Sequence, residues 1–209
     1  MGGLQLSGTH VVLVPLEPSH APALARAAAG DRATFGLTWV PDGLDDAERY
    51  VAKALADRDA GTAVPFATTR AADGEVIGST RFMNIEHWPW DRAGVDPDAV
   101  EIGSTWLSPG AQRTPANTEA KLLMLTHAFE EWHVHRVTLK TDARNERSRN
   151  AILRLGAKFD GVLRANMPAY DGAWPRDSAF YSILASEWPD VRSGLRARLD
   201  IPEQPTGAQ

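Results

Sequence analysis

The run Ser108-Pro109-Gly110-Ala111-Gln112-Arg113-Thr114-Pro115-Ala116-Asn117-Thr118 leads from a strand-like stretch into the strongest helical periodicity of the chain. A helix start exposes unpaired backbone N–H groups and the positive end of the helix dipole, so such a loop is a natural seat for a phosphate or pyrophosphate. Arg113 adds a full positive charge beside it. Glu119 works against this, because a carboxylate in the first turn repels a phosphate unless it points away. Further along, Asn145 precedes a second helical stretch with Ser148 in its first turn. Asn is a favoured helix cap, and capping uses its carbonyl oxygen while leaving the amide N–H₂ for a ligand. Glu101, on the strand ahead of the loop, can act as a general base or simply pair with a neighbouring strand.

Other reactive residue types offer less. His133 and His135 have a spacing that puts both on one face of a strand, but no third ligand is in view, so they read as solvent-facing histidines rather than a zinc site. His127 lies on the long helix, solvated or satisfied there. Trp39, Trp88 and Trp90 sit in loops or at element ends, where aromatics either join the core or line a binding pocket. The chain has no cysteine, which excludes disulfides, thiolate metal sites and a cysteine nucleophile. Its net charge of −5 and pI near 5.7 argue against a chain-wide affinity for nucleic acid or anionic membrane. Met1-Gly2-Gly3-Leu4-Gln5-Leu6 lacks the basic segment and apolar core of a signal peptide. No apolar run approaches the roughly 20 residues of a membrane span. The expectation is a cytoplasmic protein.

The elements that must position these residues alternate between strand and helix patterns. Strands are expected over residues 10–16, 65–70, 75–85, 99–107, 135–141, 157–167 and 178–184. Asp73-Gly74 joins the second and third as a hairpin. Ser19 is placed to cap an Ala-rich helix that stops near Gly30, and a helix over residues 45–59 shows an apolar stripe of Ala47, Tyr50, Val51, Ala54 and Leu55. Residues 117–132 carry Leu122, Leu125, Phe129 and Trp132 on one helical face, and residues 145–155 form a helix stopped by Gly156. Residues 87–97 read as a loop. In residues 135–141, Val137, Leu139 and Thr141 alternate against Arg136, Thr138 and Lys140. The hairpins demand antiparallel neighbours, whereas the helices after Leu107 and after Asn145 demand crossovers. The class is therefore α/β: one domain over residues 1–209 with a mixed, mostly antiparallel sheet of about seven strands flanked by helices. Its core is expected over about residues 8–188, and the tail 195–209 partly disordered.

Two stretches together resemble one family. Glu101-Ile102-Gly103-Ser104-Thr105-Trp106-Leu107-Ser108-Pro109, continued by Gln112-Arg113-Thr114-Pro115-Ala116-Asn117-Thr118-Glu119-Ala120, is similar to the acetyl-CoA-binding region of the GNAT acetyltransferases, most of all their RimJ/RimL-type branch. Asn145-Glu146-Arg147-Ser148, running into a helix that ends Leu155-Gly156-Ala157, is similar to the family's second signature. The common family loop is Gln/Arg-x-x-Gly-x-Gly/Ala, and here Gln112, Pro115 and Asn117 stand at its anchor positions. Pro115 removes one N–H donor. The resemblance thus implies a cradle with one fewer amide, offset by the side chains of Arg113, Thr114, Asn117 or Thr118.

The resemblance further implies acetyl-CoA as co-substrate, an amine as acceptor, and no metal. It implies that residues Gln112 to Thr118, Pro115 and Ala116 included, hold the coenzyme, that backbone N–H near Trp106 or Leu107 supports the oxyanion, and that Asn145 bonds the pantetheine arm. Ser148 is then placed to protonate the departing sulfur, and Glu101 to take the amine's proton directly or through water. Dimers are common in the family, so a homodimer is open; neither nucleic acid nor membrane is expected as a partner. With no cysteine for an acyl-enzyme, direct transfer between two bound substrates is the simplest scheme. A rival reading is a catalytically weak coenzyme-binding or regulatory module on the same fold, favoured by Pro115 and Asn117.

Overall fold

A computed structural model describes residues 3–89, 96–172 and 174–201. Trp90 and the last part of the expected frayed tail, residues 202–209, lie outside the described residues. In chain order the elements are β1 (Leu6–Ser7), β2 (Val11–Pro15), α1 (Ala21–Ala28), α2 (Gly43–Asp59), β3 (Ala63–Arg70), β4 (Val76–Glu86), β5 (Ala99–Leu107), α3 (Pro115–Thr126), β6 (Arg136–Asp142), α4 (Glu146–Arg154), β7 (Lys158–Met167), β8 (Arg176–Leu184) and α5 (Trp188–Arg198). One turn of π-helix, His127–Glu131, continues α3. The strands form a single sheet in the order β1-β2-β3-β4-β5-β6-β8-β7. Every pairing is antiparallel except β5 with β6.

The mixed, mostly antiparallel α/β sheet agrees with the sequence, with eight strands among the described residues in place of about seven. The extra strand, β1, is two residues long and too short to show a period. Ser19 does not cap the first helix. It lies in a 3₁₀ turn, Pro18–His20, ahead of α1, whose N-cap is His20. The core also continues past residue 188, because α5 buries Trp188, Val191 and Leu195 against α3. Trp188 stacks on Phe129 at 5.4 Å.

Strand alternation divides the core between two faces of the sheet. Leu16, Leu24, Phe35, Tyr50, Val51 and Trp106 pack between the sheet and α1–α2. Val11, Phe66, Phe82, Ile102, Leu125 and Tyr181 pack on the other side with α3 and α5. A bulge in β5 sets which residue joins which. Arg81 pairs with Gly103 and Ser79 with Trp106, so Ser104 and Thr105 together oppose Thr80. Ser104 takes φ +48°. The extra residue shifts the alternation by one. Ile102 and Thr105 both face α3, and Trp106 turns to the α2 side, where its ring meets Phe35 edge-on.

Helix α3 is tied to the sheet at two buried charged residues. Glu119 turns back from the helix start and accepts from the N–H groups of Thr9 (2.9 Å), His10 (2.6 Å) and Val11 (2.8 Å). A side chain at Gly8 would collide with that carboxylate, since a Cβ there would lie 2.4 Å from its Cδ. Two residues on, Lys121 is 4% exposed and donates to the hydroxyls of Thr105 (2.6 Å) and Thr80 (3.2 Å) at the bulge. Burial pushes its amine down from the ordinary 10.5 to about 7.

Replacing Glu119 with Ala leaves three backbone donors short of an acceptor and should lower unfolding free energy by about 3 kcal/mol in urea titrations. Lys121 predicts a pH dependence of opposite origin. Unfolded, its proton stays on to about 10.5; folded, only to about 7. Between those values the unfolded chain binds more proton, so this residue makes stability rise with pH across that window. Below about 7 the cost of the buried charge stands in full, a few kcal/mol at roughly 1.4 kcal/mol per pKa unit. Lys121→Met should therefore exceed the parent in stability near pH 6 and lose that lead by about pH 10.5; parallel stability curves for the two proteins would contradict the assignment.

Candidate active site

Parallel strands β5 and β6 pair over only three residues, Ala99 with Arg136, Val100 with Val137 and Glu101 with Thr138. Beyond Glu101 they part, β5 staying with β4 and β6 with β8. Both strands run toward the open end of this cleft, so the helices that follow them, α3 and α4, present their N-termini there. The two helix starts face each other across it. Gln112, before α3, accepts at Oε1 from Arg147 Nη1 in the first turn of α4 at 3.4 Å.

Glu101 stands where the strands separate and is 5% exposed. It points to the face opposite Ile102. Its Oε2 accepts from Asn84 Nδ2 at 2.8 Å and from Lys140 Nζ at 3.0 Å. Its Oε1 lies over Gly103, 3.0 Å from where a Cβ would stand. A cavity of about 630 Å³ opens over this carboxylate, lined also by Glu86, Thr138, Asp160, Phe180 and Ser182. Arg136, Thr138 and Lys140, which alternation in the sequence puts on one strand face, all line it. Arg136 lies 3.5 Å from Glu86, and Asp160 accepts from Ser182 at 2.9 Å.

The loop between β5 and α3 is ordered by its own side chains. Gln112 Nε2 donates to the Leu107 carbonyl at 3.1 Å, and Thr114 Oγ1 donates to the Ala111 carbonyl at 2.8 Å. Thr114 is the N-cap of α3, accepting from Ala116 N–H at 3.3 Å, so the helix starts at Pro115, two residues before the expected Asn117. Proline suits this first position, where the missing N–H would have had no helical partner. Asn117 and Thr118 follow, half-buried in the first turn. Arg113 adopts φ +62° and is exposed. With Gln112, Arg147, Asp31, Ala33, Thr34 and Pro109 it borders a second cavity of about 430 Å³. Arg147 Nη2 also donates to the Thr34 carbonyl. Because Glu119 is turned back onto β2, its charge faces away from this turn. Trp106 and Leu107 end β5, buried, opposite Ser79 and Gly78.

Asn145 caps α4, its Oδ1 accepting from Ser148 N–H at 3.0 Å, and Ser148 is half-buried. The turn feeding α4 is set by Asp142, which accepts from Arg144 through its backbone N–H (2.9 Å), Nε (3.0 Å) and Nη2 (2.8 Å). The Arg144 guanidinium holds the Asp142 carboxyl below the usual carboxylate range. Arg149 Nε reaches Tyr181 Oη at 2.9 Å and fixes the helix against β8.

Several residues at the site carry no role in the sequence reading. Asn84 and Lys140 hold Glu101, Arg147 spans the cleft mouth, and Lys121 braces the bulge. Lys121 had a legible signal, since it falls on the apolar α3 stripe with Leu125 and Ala128 at helical spacing. His133 and His135 do not share a strand face, because β6 begins at Arg136. His133 Nδ1 lies 3.4 Å from the Phe129 carbonyl, and His135 stacks on Trp88. Burial keeps His127 below its ordinary pKa, against Phe82 and Trp132. Trp39 packs on Tyr50, and neither it nor Trp88 lines the cavity over Glu101.

Comparison with known proteins places this geometry in a family. Residues 10–158 match the family model described as the acetyltransferase (GNAT) domain. YdaF of Bacillus subtilis (strain 168), to which a ribosomal N-acetyltransferase activity is ascribed, is 29% identical over 116 residues, 56% of this chain and 57% of that protein. The match thus spans little more than half the length of this curated relative. Among solved structures, a GCN5-related N-acetyltransferase from Brucella melitensis is 29% identical with a TM-score of 0.78, covering 99% of this chain and 90% of the other. An acetyltransferase structure from T. thermophilus is 36% identical with a TM-score of 0.76, covering 93% and 96%. Mycobacterium smegmatis RimJ, solved with CoA-disulfide, shares the fold at 22% identity and a TM-score of 0.75, covering 94% and 93%. The chain belongs to the GNAT acetyltransferase family.

Proposed function

We propose that the chain transfers the acetyl group of acetyl-CoA to a primary amine by direct attack, with both substrates bound. The observation that carries this reading is the parting of β5 and β6 at Glu101, with two helix N-termini at the open end. An extended pantetheine can lie between separated strands and bond their free backbone edges, and a diphosphate suits the positive end of α3. The residues present fit that group. Backbone and side chains from Gln112 to Thr118 would hold the diphosphate, with Arg113 and Arg147 as its counter-charges. Their two guanidiniums compensate for the amide that Pro115 lacks. The amide N–H₂ of Asn145, whose oxygen is used in capping, would bond the pantetheine arm.

The amine approaches from the cavity over Glu101. Its nitrogen forms a bond to the thioester carbonyl carbon as the carbon–sulfur bond breaks. Glu101 takes the amine proton, directly or through one water, at Oε1, because both of its hydrogen bonds fall on Oε2. Backbone N–H at Trp106 or Leu107 supports the developing oxyanion, and Ser148 supplies a proton to the sulfur. Glu86, Glu101 and Asp160 against Arg136 and Lys140 leave the cavity slightly acidic, which suits a cationic amine at its entrance. The ribosomal N-acetyltransferase activity ascribed to YdaF favours a ribosomal amine as the acceptor class.

Isothermal calorimetry should give heat with acetyl-CoA, and a panel of N-terminal peptides and small amines should release free thiol with at least one member. Binding without release across the panel would replace this reading by that of a catalytically quiet coenzyme-binding module. Glu101→Gln should lower kcat/KM by about a hundredfold with coenzyme affinity within twofold, as expected for loss of a general base. Ser148→Ala should slow turnover by about tenfold, more than it weakens coenzyme binding; unchanged kcat would remove Ser148 from the reaction.

A further inference from the structure

Lys121 is a buried titratable group that the proposed chemistry does not use. It lies on the α3 side of the sheet, behind Glu101, and the partners it reaches are uncharged hydroxyls. An apolar side chain of the same length would fill this space without a desolvation cost, so packing alone gives no reason for an amine here. Its position supplies one. Lys121 meets the sheet at the β5 bulge, where the Thr80 and Thr105 hydroxyls lie 2.7 Å apart and its Nζ bonds both. Thr105 Oγ1 also lies 3.4 Å from the Gly103 carbonyl, so the hydroxyl cluster spans the extra residue from both sides. Ser104, between them, holds the left-handed φ of +48° that the bulge requires. Without the bulge, regular alternation would turn Thr105 to the α2 side and Trp106 to α3, and the β5 amides beyond Gly103 would point elsewhere.

We infer that Lys121 is a positioning residue: from behind the sheet its amine fixes Thr105 and so aims the Leu107 amide, which points away from β4, at the developing oxyanion. This rests on the acetyl-transfer reading above. Lys121 touches neither substrate. An interaction that only orients an oxyanion donor acts on the transition state, so its loss lowers kcat and spares coenzyme binding.

The test uses the full chain and four variants: Lys121→Met, Thr105→Val, Thr105→Ser and the Lys121→Met/Thr105→Val double. Without any ligand, hydrogen exchange of the peptide covering residues 103–107 should quicken at least tenfold in Lys121→Met and Thr105→Val. Thr105→Ser, which keeps the hydroxyl, should exchange like the parent. Global unfolding midpoints should not fall in Lys121→Met, which separates a local brace from general support. With acetyl-CoA and the best acceptor of the peptide panel, kcat should drop about tenfold in Lys121→Met and in Thr105→Val and stay at the parent's value in Thr105→Ser, with KM for acetyl-CoA within twofold in all three. The double variant should be no slower than Lys121→Met or Thr105→Val, because both remove one interaction. Parent-like exchange and kcat in Lys121→Met and Thr105→Val, or additive losses in the double, would overturn the inference. Should Lys121→Met fail to fold, the Thr105→Val and Thr105→Ser pair decides it by the same readouts. An active parent with unaffected variants sinks the brace alone; a parent that releases no thiol with any amine sinks the transfer reading and the positioning role with it.

Discussion

Two parallel strands that begin as hydrogen-bonded neighbours and then separate impose most of what this structure does. After Glu101 and Thr138 the facing edges of β5 and β6 lose their ladder, because β5 follows β4 and β6 follows β8. Backbone N–H and C=O groups in such a gap require partners, and an extended amide-bearing ligand is a chemically matched substitute for a strand. The bulge at Ser104–Thr105 belongs to the same device. It bends β5 at the point of departure and sends Trp106 into the α2 core, which anchors the diverging strand on the far side.

Charge placement follows from that geometry. The turn proposed for the coenzyme needs a positive field, yet α3 carries Glu119 just past its first turn, near enough to oppose a phosphate at the helix start. The fold resolves the conflict by using Glu119 on β2, where three backbone donors take up its charge. Arg113 and Arg147 are left to dominate the mouth of the cleft. Gly8 is the residue that permits this, since any side chain there would displace the carboxylate.

Elements with a clean period were readable from the sequence. The apolar stripe of α2, the α3 run with its π-helical extension, the Asp73-Gly74 hairpin and the Asn145 cap all rest on local rules, and local rules decided them. Three features escaped. β1 has two residues and no period. α5 did have one, with Trp188, Val191 and Leu195 at helical spacing and Pro189 in the first turn, where proline is welcome, but it starts at residue 188, at which the core was expected to end. The bulge could not be read at all, because an inserted residue is defined only by the partner strand it fails to pair with. Its consequence was the phase of Trp106 and, behind it, the reason for a lysine on a buried stripe.

The two halves of the site differed in legibility for a related reason. In the proposed function a coenzyme is gripped through backbone amides at a loop and two helix starts, and that geometry demands particular residue types at fixed spacing within two short windows. The resemblance in residues 101–120 and 145–157 comes from this demand. The cavity over Glu101, proposed to take the acceptor, has no such window. Asn84 and Glu86 reach it from β4, Glu101 from β5, Arg136, Thr138 and Lys140 from β6, Asp160 from β7, and Phe180 and Ser182 from β8. Each of these residues can change without disturbing a hydrogen-bonded turn, so sheet topology rather than any local pattern brings them together. Because the cavity opens on one face while α3 and its lysine brace the other, acceptor preference can vary within the fold while the coenzyme machinery stays fixed.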